Sequence, residues 1–205
     1  MSREIIEVFY DNDLSDLRLI ESEIGEIHRY YAENLDPSKS ARLDLYLNEV
    51  LIGQAVVYWI SSGHASVGVV YYVAVDKRFR GRGLGKILVL SSEEVLIEKG
   101  SIIALATLRS DNKASINLFN SLNYETYSWD YIERFCGSDI EDFLLKATCG
   151  YEDDYLAIKE LIDRETGDNI CRRLNHLYKD LGREVEFHWR RSCYIPWRKL
   201  HRSWI

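Results

Sequence analysis

The stretch Arg80-Gly81-Arg82-Gly83-Leu84-Gly85-Lys86 stands between an apolar run ending "VVYYVAV" and a second one beginning "ILVL". Three alternating glycines and three cations between a strand pattern and a helix pattern narrow the available folds sharply. Glycines let a backbone close on a ligand without a Cβ in the way. A helix start adds unpaired N–H groups and the positive end of a dipole, so the junction suits an anion. Two phosphate motifs fail here. A dinucleotide fingerprint counted from Gly81 and Gly83 ends on Lys86, and a P-loop would need glycine at Arg80 and Ser or Thr at Ile87.

The hydrophobic period on either side sets the context. Leu14, Leu17, Ile20, Ile24, Ile27 and Tyr31 fall at helical spacing, with Asp13 as N-cap, and Pro37 breaks the run. "RLDLYLNEVLIGQAVVYWI" predicts two antiparallel strands turning at Asn48-Glu49, and "ASVGVVYYVAV" a third. After the glycines, Leu84, Ile87, Leu88, Val95 and Leu96 mark a helix that stops at Gly100. "SIIALATL" reads as a strand, "DNKASINLFNSLN" as a helix and "YETYSWDYIERF" as a strand. The order is β-α-β-β-β-α-β-α-β, an α/β (α+β) class built round a mixed sheet.

The last third reads differently. Ser138 and Glu141 are spaced as a capping box, and two further helices are expected to end at Gly167 and Gly182. Val185, Phe187, Trp189, Cys193 and Ile195 then alternate with polar residues, which predicts a strand over 185–195 stopped by Pro196. A strand at 124–135 without a partner would expose backbone and an apolar face. The expected organisation is therefore a core over 1–135, a helical insertion over 136–183, and a strand over 184–205 that returns to the core sheet and ends in a basic-aromatic tail. The insertion would lie beside an acceptor entrance or serve a homodimer interface.

Composition limits the function classes. The chain has 205 residues, 46% of them apolar, with two prolines, which describes one compact domain with room for an insertion. A net charge of −7 argues against nucleic acid as the main partner, although "WRRSCYIPWRKLHRSW" keeps a binder as a third reading. The longest apolar runs are about half a bilayer span, and the charged start "MSREIIEVFYDND" lacks a signal-peptide core, so no membrane partner and a cytoplasmic location are expected. Cys136, Cys149, Cys171 and Cys193 form no C-x-x-C pair; free thiols and no metal are expected, with one disulfide left open.

The pattern Arg80-Gly81-Arg82-Gly83-Leu84-Gly85, following a strand and opening a helix, resembles the acetyl-CoA loop of the GNAT N-acetyltransferase superfamily. A second family signature follows in order, with Asn112, Ser115, Leu118, Phe119, Asn123 and Tyr124 in its places. The resemblance covers about residues 1–135 and implies a mixed, mostly antiparallel sheet flanked by helices. It also implies acetyl-CoA as co-substrate, held by Arg80, Gly81, Arg82, Gly83, Leu84, Gly85 and Lys86. Backbone at Val73, Ala74 and Val75 would lie along the pantetheine arm after the strand before the loop splays from "SIIALATL", and Asn112, Ser115 and Phe119 would complete the cofactor site. The implied activity is acetyl transfer to a primary amine of a protein N-terminus, a lysine or a small molecule.

The chemistry of transfer is less legible. Relatives often carry an acidic Tyr where Phe119 stands, and a base where Thr107 or Val69 stands. Tyr71, Tyr72 and Tyr124 are substitute acids, and His64, His28 and Glu49 are candidate bases. Tyr72, Tyr124 and His64 are the catalytic candidates carried forward. A catalytically weak acyl-CoA-binding or partner-binding module is the alternative reading.

Overall fold

The computed structural model describes residues 4–63, 65–162 and 169–202. Asn48 and Glu49 both take positive φ (48° and 67°), the backbone that lets a two-residue turn follow the twist of its strands. They join β2 (Ser40–Leu47) to β3 (Val50–Ser61), and β1 (Ile6–Asp11) pairs antiparallel along the outer edge of β2. The helical run after β1 is split. Gly25, at φ 140°, separates α1 (Arg18–Glu23) from α2 (Glu26–Glu33), and Asp13 accepts from Ser15 N–H instead of capping α1.

β4 (Ser66–Val75) completes the antiparallel half of the sheet. The glycine loop then leads into α3 (Leu84–Glu98), which ends before Gly100 at φ 80°. β5 (Ile103–Leu108) lies parallel to β4, α4 (Lys113–Asn120) follows, and Asn123 takes the left-handed conformation expected for a helix end. Leu84, Leu88, Val89, Val95 and Leu96 of α3 and Phe119 of α4 pack on one sheet face with Ile52, Ala55 and Val57. That half of the molecule matches the sequence expectation.

Three elements after it do not. Only β6 (Glu125–Ser128) of the expected 124–135 strand is extended. Ser128 Oγ accepts from Tyr131 N–H and starts α5 (Trp129–Cys136), which buries Ile132. α6 (Ser138–Thr148) begins at Gly137 with no side-chain cap, so the Ser138–Glu141 capping box does not form. The segment expected to be helical after Tyr151 contains β7 (Tyr155–Glu160), and Gly167 lies outside the described residues. β7 slots between β5 and β6, antiparallel to both, giving the sheet order β1-β2-β3-β4-β5-β7-β6.

The stretch 185–195 is not a strand either. α7 (Ile170–His188) runs through Gly182 and buries Leu174, Leu177, Leu181 and Val185, a spacing of three, four and four. A π-helical turn, Trp189–Tyr194, and α8 (Ile195–Arg202) continue it, with Pro196 just past the π-helical turn, whose last bond runs from Ile195 N–H to Arg190 O. Phe187, an inward position in the strand reading, is 66% exposed. The expected insertion over 136–183 thus contains β7, and it is β7, not 185–195, that pairs with β6; α5 and α6 precede it. With α1, α2 and α7 they cover the second sheet face.

The cysteines also depart from expectation. Cys136 bonds Cys171, and Cys149 bonds Cys193; no cysteine is free among the described residues. The first bridge ties α5 to α7, and the second ties the end of α6 to the π-helical turn.

One buried titrating group lies beside that second bridge. His188 stacks on Tyr58 at 4.6 Å, with Nε2 buried and unpartnered, and burial pulls its pKa down to about 4 from 6.5. A depressed folded-state value favours the neutral ring, so this contribution is present above the unfolded pKa and is lost as pH falls toward the folded one. Urea unfolding is expected to reveal about 2–3 kcal/mol less stability at pH 4.5 than at pH 7 from this group. His188→Gln should flatten that part of the profile.

Candidate active site

The register of β4 shapes the site. Opposite β3 the pairing jumps between Val56↔Tyr72 and Val57↔Val70, leaving Tyr71 as the extra residue of a β-bulge. Before the bulge, Val67 and Val69 face the second-face core; after it, Ala74 does, so Tyr71 and Tyr72 both point to that side. Their rings lie 4.1 Å apart.

Past the bulge β4 leaves its neighbour. It pairs with β5 only from Val67↔Ile103 to Val69↔Leu105, while β5 continues to Leu108 along β7. Asp76 N–H donates back to Ile52 O, so by the two-residue period the N–H and C=O groups of Val73 and Val75 face away from β3, into the opening. The expected splay is present. A cleft of about 1020 Å³ fills it, lined by Val73, Ala74 and Val75, the glycine loop, and Asn112, Ser115 and Phe119 of α4.

At one end of the cleft stands the start of α3. Gly83 caps it at φ 77°, with no side-chain hydrogen bond, and Gly81 sits at φ 79°. A Cβ at either glycine would meet nothing within 4 Å, so backbone conformation and access explain these glycines better than crowding does. The first amides of α3 lack partners within the helix and border the cleft. Arg80 donates from Nε to Val75 O (2.9 Å) and pairs with Glu23 (2.7 Å); Lys86 lines the cleft. Arg82 lies over the Phe79 ring at 5.5 Å and does not line the cleft. Asn112 Oδ1 accepts from Ser115 N–H (3.1 Å), which makes it the cap of α4.

The catalytic candidates separate. Tyr72 lines the cleft, edge-on to His28 at 5.2 Å, and burial raises its hydroxyl well above the usual tyrosine range. Tyr124 belongs to the opposite sheet face, under Lys159 and against Phe119, and does not line the cleft. His64 lies outside the described residues, and Glu49 sits in the β2–β3 turn, away from the cleft lining. His28 does line the cleft, and burial lowers its pKa.

Sequence reasoning missed the far end of the cleft. Thr107 Oγ1 donates to Asp153 Oδ2 at 2.6 Å, and Trp129 Nε1 donates to the Asp153 carbonyl at 2.9 Å. Glu152, Tyr151, Trp189, Tyr194 and Trp197 complete that end with Tyr31. Trp189, Tyr194 and Trp197 of the basic tail therefore face the cleft. The acidic run "YEDDY" was the available signal, but a helical reading hid that it forms the loop entering β7. Cys149, Cys193 and His188 place ligand atoms within 4.8 Å of one another, yet the disulfide occupies both sulfurs. Among the described residues no helix is long and apolar enough to cross a membrane.

Comparisons with known proteins agree with this geometry. The model of the acetyltransferase (GNAT) family matches residues 6–124, more than half of the chain. The chain is 37% identical over 76 residues to mycothiol acetyltransferase of Mycolicibacterium smegmatis, covering 36% of this chain and 26% of that protein. It is 29% identical over 124 residues to an acetyltransferase of Yersinia enterocolitica, covering 59% of this chain and 87% of that one. Across the first three curated relatives the match spans 20%, 26% and 59% of their length. The ribosomal-protein-S18-alanine N-acetyltransferase of Escherichia coli shares the fold at TM-score 0.54 and 18% identity, over 82% of this chain and all of that one. An aminoglycoside N-acetyltransferase solved in complex with CoA does so at 0.51 and 18%, over 61% and 91%. The matched family model, the splayed strands and the glycine-capped helix converge on one conclusion: the chain belongs to the GNAT acetyltransferase family.

Proposed function

We propose that this protein is an acetyl-CoA-dependent N-acetyltransferase that moves an acetyl group directly onto a primary amine of a protein N-terminus, a lysine or a small molecule. The observation that carries the reading is the opening between β4 and β5, whose free strand edge runs to the unpaired amides of α3. An extended arm can pair with the Val73 backbone and the Val75 N–H as an added strand, Val75 O being held by Arg80, while its pyrophosphate sits on the amides from Gly81 to Gly85. Arg80 and Lys86 add charge there, and Arg82 contributes only to the surrounding field. Ala74, Leu84, Asn112, Ser115 and Phe119 border the arm. A β4 N–H donated to the thioester carbonyl would stabilise the oxyanion as the amine attacks.

A release assay for free CoA thiol, run with acetyl-CoA against peptides, lysine, polyamines, arylalkylamines and aminosugars, tests the reading. Thiol release with at least one amine is expected. CoA binding with no release under any amine would favour the binding-module alternative, for which Phe119 in the acid position and Thr107 in the base position are the specific observations.

Phe119 gives a second handle. It is buried, borders the cleft and meets the Tyr124 ring edge-on at 4.9 Å. Phe119→Tyr is expected to leave the melting temperature nearly unchanged. A positioned acid contributes about 10²–10⁴-fold, and an unoptimised one should recover roughly tenfold in kcat. Loss of stability with no gain in rate would mean that the thiolate takes its proton elsewhere.

A further inference from the structure

The acceptor end of the cleft is built from segments distant in the chain. Thr107 sits on β5, and the loop 149–154 reaches it between α6 and β7. Gly150 permits the approach: a Cβ there would lie 2.5 Å from Thr107 Cγ2 and 2.9 Å from Thr148 Oγ1. Asp153 N–H donates to Gly150 O, and Asp154 N–H to Leu108 O, while Ser110 N–H donates to the Asp154 carboxylate. The Cys149–Cys193 bridge holds the same loop to the π-helical turn. A carboxylate is thus fixed on Thr107 by a hydrogen bond, by the Trp129 indole N–H donated to the Asp153 main-chain carbonyl, and by a covalent brace on its loop.

We propose that Asp153 takes the proton from the incoming ammonium, and that the walls beyond it select a primary monoamine carried on an aromatic or apolar body. This rests on the acetyltransferase reading. Ile27, Tyr31, Tyr151, Trp189 and Trp197 line the cleft with Asp153 and make its walls there mainly apolar and aromatic. Such faces suit a flat body and a nearby cation. Its carboxylates are few: Glu23 is already paired with Arg80, which leaves Glu152 and Asp153. A polyamine would leave charges uncompensated in a partly desolvated site, and the hydroxyls of an aminosugar such as glucosamine would go unpaired against these apolar walls.

The chemistry balances with one proton to solvent. The ammonium gives a proton to the Asp153 carboxylate, which later passes it to water. The freed nitrogen pair forms the N–C bond to the acetyl carbon, the C–S bond breaks with its electrons on sulfur, and the second amine proton ends on the thiol. Burial raises the Asp153 carboxyl above the usual range, which improves it as a base. The groups facing it are Thr107 and Arg109 from the β5 end, Glu152 beside it, His28 from α2 and Tyr71 and Tyr72 from β4. Thr107 and Arg109 hold the carboxyl down, and Glu152 pushes it up.

The test measures thiol release with tyramine and phenethylamine against spermidine and glucosamine. The aryl amines are expected to give kcat/KM at least about tenfold higher. Asp153→Asn should lower kcat about 100-fold with KM for acetyl-CoA within threefold, and its residual rate should climb with pH as free amine accumulates. Asp153→Glu should restore part of the loss. Where Asp153→Asn does not fold, Thr107→Val serves: losing a donor to the ionised form should move the acid limb of the rate profile to higher pH. Preference for spermidine or glucosamine, or an unmoved profile in both variants, overturns this inference while leaving acetyl transfer intact. No release with any amine overturns both.

Discussion

Gly83→Asp is expected to weaken CoA binding by at least about 100-fold, equivalent to ~2.7 kcal/mol. The fold should survive. Gly83 sits at φ 77° with open space around its Cβ direction, and Asp is among the few residues that take this conformation, at a penalty of about 1–2 kcal/mol. The carboxylate, however, would stand at the start of α3, satisfying amides that otherwise face the cleft and opposing the charge of a pyrophosphate. Gly83→Asn separates the two effects, because it has the same shape and backbone demand without the charge. Calorimetry with CoA should rank wild type above Asn and Asn above Asp, with the Asp deficit shrinking at high salt. Equal affinity across all three would remove the loop from phosphate recognition.

Truncation after Arg134 is expected to abolish cooperative folding. The fragment would lose β7, and with it the pairing of both β5 and β6. It would also lose Ile140, Phe143, Leu144, Leu156, Ile158, Leu174, Leu177, Leu181 and Val185 from one core. Fully burying each such side chain contributes about 1.5–3 kcal/mol, so the nine together contribute about 14–27 kcal/mol against the roughly 5–15 kcal/mol by which domains are stable. The exposed edge of β5 would then template aggregation. Far-UV dichroism through a urea titration decides the matter: a soluble fragment with a sigmoidal transition that still binds CoA would contradict a core shared between the two parts of the chain.

The readable part of the sequence lay where one contiguous stretch carries its own geometry. The Asn48-Glu49 turn, the αL stops at Gly100 and Asn123, and the cap at Gly83 all depend on local φ preferences. Their positions were legible for that reason. The last third was not, because its patterns satisfy two periods at once. "YLAIKE" sits in a stretch with helical spacing, but Leu156 and Ile158 bury on one sheet face and Ala157 on the other once β5 and β6 flank them. The alternation over 185–195 is equally ambiguous. Leu174, Leu177, Leu181 and Val185 extend a stripe that packs over β3 and α6, and continuing that helix wins over starting a strand.

The same division runs through the site. Sequence by itself determined the glycine-loop end of the cleft, since a strand, three glycines and a helix start are neighbours in the chain, and their amides need no distant partner to face outward. Tertiary structure alone decided the far end. Asp153 meets Thr107 across 46 residues, and Trp189 and Tyr194 join them from the π-helical turn after α7. Only sheet pairing by β7 and the Cys149–Cys193 bridge bring these groups to one cleft. Long-range contacts of that kind leave no period or spacing in the chain, because nothing local dictates which residues will face each other once the strands are ordered.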